Sequence, residues 1–379
     1  MKKVGLAVCY DTKNFGSQLQ ILATMKAIEK EGFAPEIIIY KKKLTPAFVL
    51  QTIPRLFNPI FLRTKLSRTK SSASKEARAK ISIRNKRFIS FIDEFFMNKS
   101  HVYSGWEKLV VESNKNYDIF LSGSDQLWLP SNRGSHFYTL EFANKEKKKV
   151  AYATSFGVSS IPWFQKKTTA RYLSEFTYLS TRERSGQSII KELTGRDSEV
   201  VCDPTLLFDK DEWMQFVEDG TVVEGKYIFA YFLGTNTKYR KEAEKLSKET
   251  GLKIVSCPFL DEYIEYDESF GDVQKFDVDS KDFVNLIRHA SYVVTDSFHG
   301  SVFSIINHKK FMTFNRFTVG ANSRNSRIDT LCEITGLASR RFNGDVLQIL
   351  KDIDYDKVDL KLGKIRNQSW RYLSNSLKK

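Results

Sequence analysis

Cysteine is scarce in this chain and it is scattered. Four residues, Cys9, Cys202, Cys257 and Cys332, stand far apart and none pairs at metal-ligand spacing. That excludes a disulfide scaffold and a cysteine metal cluster, and it fits reduced thiols in a cytoplasmic protein. Histidine is nearly as rare, with five residues, and no metal site is expected from their spacing. No eighteen-residue apolar run occurs, so no spanning helix is expected. The opening Met1-Lys2-Lys3 leads into a short apolar segment stopped by Asp11, which reads as a first β-strand and not as a signal peptide. There is also no GxGxxG fingerprint, no low-complexity tract and no short repeat.

What is present is enough apolar material, 41% of 379 residues, to build two packed cores. Short β-forming runs alternate with helical periods throughout. Strands are predicted at 4–10, 34–40, 117–121, 149–155 and 199–202, with helices at 18–31, 163–175 and 185–194. A second set follows, with strands at 227–233, 252–256, 292–295 and 310–314. Helices are expected at 238–250, at 280–289 capped by Ser280, at 301–307 and at 326–335. The pattern implies an α/β protein of two Rossmann-like domains facing a cleft. The N-terminal domain takes 1–205 with a basic helical insertion at about 41–99, the C-terminal domain takes 206–355, and a helix in 356–379 packs back across a domain face.

The net charge of +15 is concentrated. Residues 41–90 hold fourteen Lys and Arg against one acid, Glu76, a local excess of +13. Within it, Pro46, Pro54 and Pro59 forbid one long helix, while 74–96 is helical in period. A solvated helical face is the plain reading. The interleaved Phe48, Phe57 and Phe61 also suit an anionic membrane surface, which attracts basic segments at about 1 kcal/mol per side chain. Nucleic acid is not expected, because no nucleic-acid module is visible.

The most informative segment is Thr295-Asp296-Ser297-Phe298-His299-Gly300-Ser301, where a buried strand gives way to a helix. Ligands in open α/β sheets bind at that edge, and helix N-termini offer free N–H groups to anions. His299 is the candidate acid/base group, since imidazole titrates near neutrality. A satisfied structural histidine is the alternative. Asp296 is placed beside it as its orienter or as a hydroxyl ligand, with a helix cap as the equal alternative. Gly300 and Ser301 would let backbone approach an anion. Arg182, after the strand-like 178–180, would clamp a carboxylate or phosphate, unless it pairs with Glu183 or Asp203. Asn14, Gly16 and Ser17 form a βα turn suited to a phosphate or sugar. Ser124, Asp125 and Trp128 have the composition of a sugar subsite, with a buried Trp128 as the alternative.

Taken in order, Asn14-Phe15-Gly16, Gly123-Ser124-Asp125-Gln126-Leu127-Trp128, Ser180-Thr181-Arg182-Glu183, Asp203-Pro204-Thr205 and Thr295-Asp296-Ser297-Phe298-His299-Gly300 resemble the polysaccharide pyruvyl transferase family. The trailing Asn325-Ser326-Arg327-Ile328 is similar to that family's downstream element. The resemblance implies a fold like that of two-domain GT-B glycosyltransferases. It also implies transfer of a pyruvyl group from phosphoenolpyruvate to a sugar of a bacterial surface glycan or its lipid-linked precursor. The acceptor would be met at the cytoplasmic face of the membrane, with no cofactor. Arg182, Ser297, Gly300, Ser301 and Arg327 would then meet the donor, and Asn14, Gly16, Ser17, Ser124, Asp125 and Trp128 the acceptor. Better-studied members have Asp-Arg-Leu-His-Gly where this chain has Asp296-Ser297-Phe298-His299-Gly300. Arg324 or Arg327 would supply the charge that Ser297 lacks. The alternative reading is a GT-B-type glycosyltransferase using a nucleotide sugar.

Overall fold

A computed structural model describes residues 1–42, 74–130, 136–316 and 325–379. The chain begins with β1 (Lys3–Ala7), α1 (Phe15–Lys30) and β2 (Ala34–Lys41), then α2 (Lys75–Phe95), β3 (Ser100–Ser104) and α3 (Trp106–Asn116). Next come β4 (Ile119–Ser122), β5 (Lys148–Ala151), α4 (Trp163–Ser174), β6 (Tyr178–Thr181), α5 (Arg184–Thr194) and β7 (Glu199–Val200). These strands form a parallel sheet in the order β3-β2-β1-β4-β5-β6-β7.

A short helix α6 (Lys210–Phe216) leads to the second unit. It contains β8 (Tyr227–Tyr231), α7 (Thr237–Thr250), β9 (Lys253–Ser256), β10 (Val273–Gln274), α8 (Ser280–His289), β11 (Tyr292–Thr295), α9 (Phe298–Ile306) and β12 (Lys310–Thr313). Its parallel sheet runs β10-β9-β8-β11-β12. Both sheets therefore reverse direction at a switch point, between β1 and β4 in one and between β8 and β11 in the other. Such points open a crevice beyond the strand carboxyl ends.

Buried strands carry the two cores. β8 is buried at every position, as its sequence Tyr-Ile-Phe-Ala-Tyr requires of a strand covered on both faces. Helix starts are fixed by side chains: Asn14 accepts from the Ser17 N–H, and Ser297 accepts from the Gly300 N–H. After α10 (Ser326–Thr335), helix α11 (Tyr355–Lys378) starts against the second unit, where Tyr355 donates to the Lys309 carbonyl. It ends on the first, where Trp370 Nε1 donates to the Leu207 carbonyl and the Tyr372 hydroxyl to that of Ala151.

The two units meet over α1. Phe15 stacks on Phe88 of α2 at 4.8 Å and on Phe283 of α8 at 4.9 Å. Around that seam two arginines of the otherwise largely exposed helix α2 are paired. Arg84 meets Asp261 at 2.8 Å, and Arg87 meets Asp279 and Asp282 at 2.9 and 2.6 Å. So part of the basic excess read from the sequence fastens one domain to the other. The residues 43–73 of the membrane reading lie outside the described residues. Among the described residues no helix is long and apolar enough to cross a membrane.

Several boundaries differ from the sequence reading for identifiable reasons. Helix α9 begins at Phe298, three residues before the expected start, because Ser297 supplies the cap. Helix α8 is capped by Asp279 in a capping box with Asp282, in place of Ser280. Strand β3 and helix α3 were not anticipated; β3 is an edge strand with one fully buried residue, Tyr103, so its apolar alternation is weak.

Candidate active site

The carboxyl ends of β1, β4, β8, β11 and β12 converge on one cavity of about 210 Å³. Thr12, Asn14, Ser17, Asp125 and Gln126 line it from the first domain. Leu233, Asp296, Ser297, Phe298, His299, Arg316, Asn325, Arg327 and Ile328 line it from the rest of the chain. Both switch points thus open into the same cleft.

His299 sits at the seam. It is 7% exposed and projects from the second domain toward the first. A Cβ built on Gly16 would lie 2.1 Å from His299 Nδ1, so only glycine in α1 leaves room for the ring. On the other side, His299 Nε2 is 3.6 Å from Asp203 Oδ1, within ion-pair range but longer than a hydrogen bond.

Asp203 is wholly buried and heavily held. Its Oδ1 accepts from the Thr205 N–H at 3.1 Å and hydroxyl at 2.7 Å. Oδ2 accepts from the Ser124 hydroxyl at 2.8 Å and Arg182 Nη1 at 2.7 Å. Burial opposes its ionisation, yet the facing charges of His299 and Arg182 hold its pKa far below the usual carboxylate range.

Asp296 occupies a different position from the one anticipated. Its two oxygens accept from the backbone N–H groups of Leu233 and Gly234, at 2.7 and 2.8 Å. It lines the cavity but ties β11 to the β8 loop and does not orient His299. Burial pushes its pKa up, against the pull of those amides and of Arg316.

Asp125 follows β4 with φ of 94°, a conformation that costs a non-glycine residue about 1–3 kcal/mol. There its carboxylate accepts from the Gln126 N–H at 2.8 Å and the Ser17 hydroxyl at 2.7 Å. Burial disfavours its charge, but Arg182 and Ser17 prevail and its pKa is lowered.

The cations are arranged in depth. Arg182 does not line the cavity: its side chain is 1% exposed and Nη1 is committed to Asp203 and Ser124. It stands over the Phe298 ring at 4.9 Å, and Arg327 stands over the same ring at 5.7 Å. Burial and the neighbouring Arg182 push the Arg327 pKa down to about 10. Among the described residues Arg327 Nε is buried without a hydrogen-bond partner. Arg316, at the end of β12, lines the cavity too; sequence reasoning missed it, although it obeys the same strand-end rule. Arg324 lies outside the described residues.

The other candidates divide between cleft and scaffold. Asn14 and Ser297 line the cavity while capping their helices. Gly300 packs where a Cβ would meet Thr295 Oγ1 at 2.7 Å, and the Ser301 hydroxyl donates to the Ser297 carbonyl. Ser124 is fully buried, serving Asp203. Trp128 is core: its indole donates to the Tyr138 carbonyl and packs on Phe156 at 5.1 Å and Phe176 at 5.3 Å. It does not line the cleft. Among the described residues no group of three or more His, Cys, Asp or Glu is arranged to hold a metal ion.

Two Rossmann-like domains with one cleft between their switch points define the GT-B class of fold. Solved structures agree. The chain is similar to Anabaena Alr3699/HepE, solved with UDP and glucose, at 10% identity over 99% of each chain, with a TM-score of 0.52. It is similar to a putative UDP-N-acetylglucosamine 2-epimerase from Listeria monocytogenes at 10% identity, covering 99% of this chain and 90% of that one, with a TM-score of 0.51. No curated protein matches its sequence. Within this class the chain belongs to the polysaccharide pyruvyl transferase family, whose sequence profile matches residues 14–316.

Proposed function

We propose that this enzyme transfers the pyruvyl unit of phosphoenolpyruvate to two hydroxyls of a sugar, forming a ketal and releasing phosphate. The acceptor is a sugar of a bacterial cell-surface polysaccharide or of its lipid-linked precursor, met at the cytoplasmic face of the membrane. The enol carbon gains a proton and becomes a methyl group. Two C–O bonds form at the neighbouring carbon as the phosphate leaves with the second hydroxyl proton. His299 is the group suited to deliver or accept these protons.

The observation that carries this reading is the cationic wall of the cleft. Arg316 and Arg327 line the cavity, and Arg327 Nε is buried with no hydrogen-bond partner among the described residues. Cations on the wall of a low-dielectric cleft favour a bound anion, and a compact donor bearing both carboxylate and phosphate would satisfy them. Asp125, Asn14 and Ser17 face them across the cavity with hydroxyl-binding groups.

Binding tests it. Phosphoenolpyruvate at a hundredfold excess over Kd should stabilise the fold by about 2.7 kcal/mol, read as a rise in Tm. Arg327→Met should lose most of that rise. Stabilisation by a UDP-sugar and none by phosphoenolpyruvate would instead favour a nucleotide-sugar glycosyltransferase.

A further inference from the structure

We propose that Asp203 is the positioning residue for His299, acting across the domain boundary. Among the described residues Nε2 is buried without a hydrogen-bond partner, and it faces Asp203 Oδ1 at 3.6 Å. Nδ1, the other ring nitrogen, lies against Gly16 of α1. The sequence neighbour Asp296 is not available for the role, since two backbone N–H groups hold its carboxylate.

Four donors fix the Asp203 carboxylate, so its orientation is set before any substrate arrives. A base whose other nitrogen faces a third, oriented group is the arrangement that selects one tautomer. The 3.6 Å separation is long for a hydrogen bond, and such contacts commonly tighten in the substrate complex. Because Asp203 and Gly16 belong to one domain and His299 to the other, the imidazole is oriented only when the domains adopt this arrangement. Arg182 and Ser124 then act one step further back, through Asp203.

The kinetic arm of the test rests on the pyruvyl-transfer reading; the spectroscopic arm does not. In ¹⁵N-histidine NMR of the wild-type protein, the resonance lost in His299→Gln should show a proton on Nε2. Asp203→Asn should shift that resonance and lower kcat for phosphate release from phosphoenolpyruvate about 100-fold. KM for phosphoenolpyruvate should stay within about threefold, and Asp203→Glu should recover part of kcat. Should Asp203→Asn not fold, Thr205→Val removes one donor from Oδ1 and should still move the His299 Nε2 resonance. A wild-type Nδ1–H tautomer, an unmoved resonance in a folded variant, or an unchanged kcat in Asp203→Asn would overturn the proposal. A wild-type protein that releases no phosphate sinks the reaction assignment alone, and the tautomer still decides the role of Asp203.

Discussion

Replacing Gly16 with alanine is expected to abolish turnover while leaving a folded protein. The new methyl group would stand 2.1 Å from His299 Nδ1 and 2.3 Å from its Cγ, so the ring must move. A displacement of about 1 Å at a reacting group costs about 100-fold in rate, and here the displaced ring is the proposed acid/base group. Stability should change little. Overpacking costs about 1–3 kcal/mol, and alanine recovers up to about 1 kcal/mol over glycine in a helix. Steady-state kinetics beside a urea melt checks both halves. Near wild-type kcat would mean that the ring is not held where α1 meets α9.

The second large effect is on stability. Arg182→Ala is expected to destabilise the protein by about 3–5 kcal/mol, because it strands the Asp203 carboxylate in the interior. Asp203 has 0% side-chain exposure and its partner 1%, so solvent does not screen the pair. The double variant Arg182→Met with Asp203→Asn should recover part of that loss, since the buried Asp203 charge leaves with its partner while Asp125 still loses Arg182 at 3.5 Å, and activity stays low. Urea midpoints of the two variants measure this. The pH dependence follows from the depressed pKa of Asp203. An acid whose folded value lies below its unfolded one contributes fully above the unfolded value, roughly pH 4. The contribution is lost as pH falls from there toward the folded value. Destabilisation by Arg182→Ala should therefore be constant through neutral pH and shrink in strong acid.

How much of this was legible in the sequence follows from what each signal measures. The strand-end rule placed Asn14, Ser17, Asp125 and His299 on the cleft wall, because the loops at the carboxyl edge of a parallel sheet open into the crevice. The same rule would have found Arg316, had the residues after β12 been weighed like those after β11. What the sequence could not express was contact between domains. Asp203 lies about a hundred residues from His299, so nothing local marks it as the facing acid, whereas Asp296 is only three residues away and looked apt. The composition of α2 was equally ambiguous: lysines and arginines on a helix fit a membrane surface or a protein seam. Arg84 and Arg87 choose the seam because Asp261, Asp279 and Asp282 stand opposite. Trp128 shows the converse ambiguity: an indole near a polar loop fits a sugar platform or the core, and its aromatic neighbours enclose it in the core.

Phosphate release from phosphoenolpyruvate in the presence of bacterial surface glycans tests the central claim most directly. The wild-type enzyme should release one phosphate for each ketal methyl group that appears in the proton spectrum of the glycan. His299→Ala should slow that release by about 100-fold or more. Undiminished release by His299→Ala, or no release by the wild type from phosphoenolpyruvate alongside consumption of a nucleotide sugar, would contradict it.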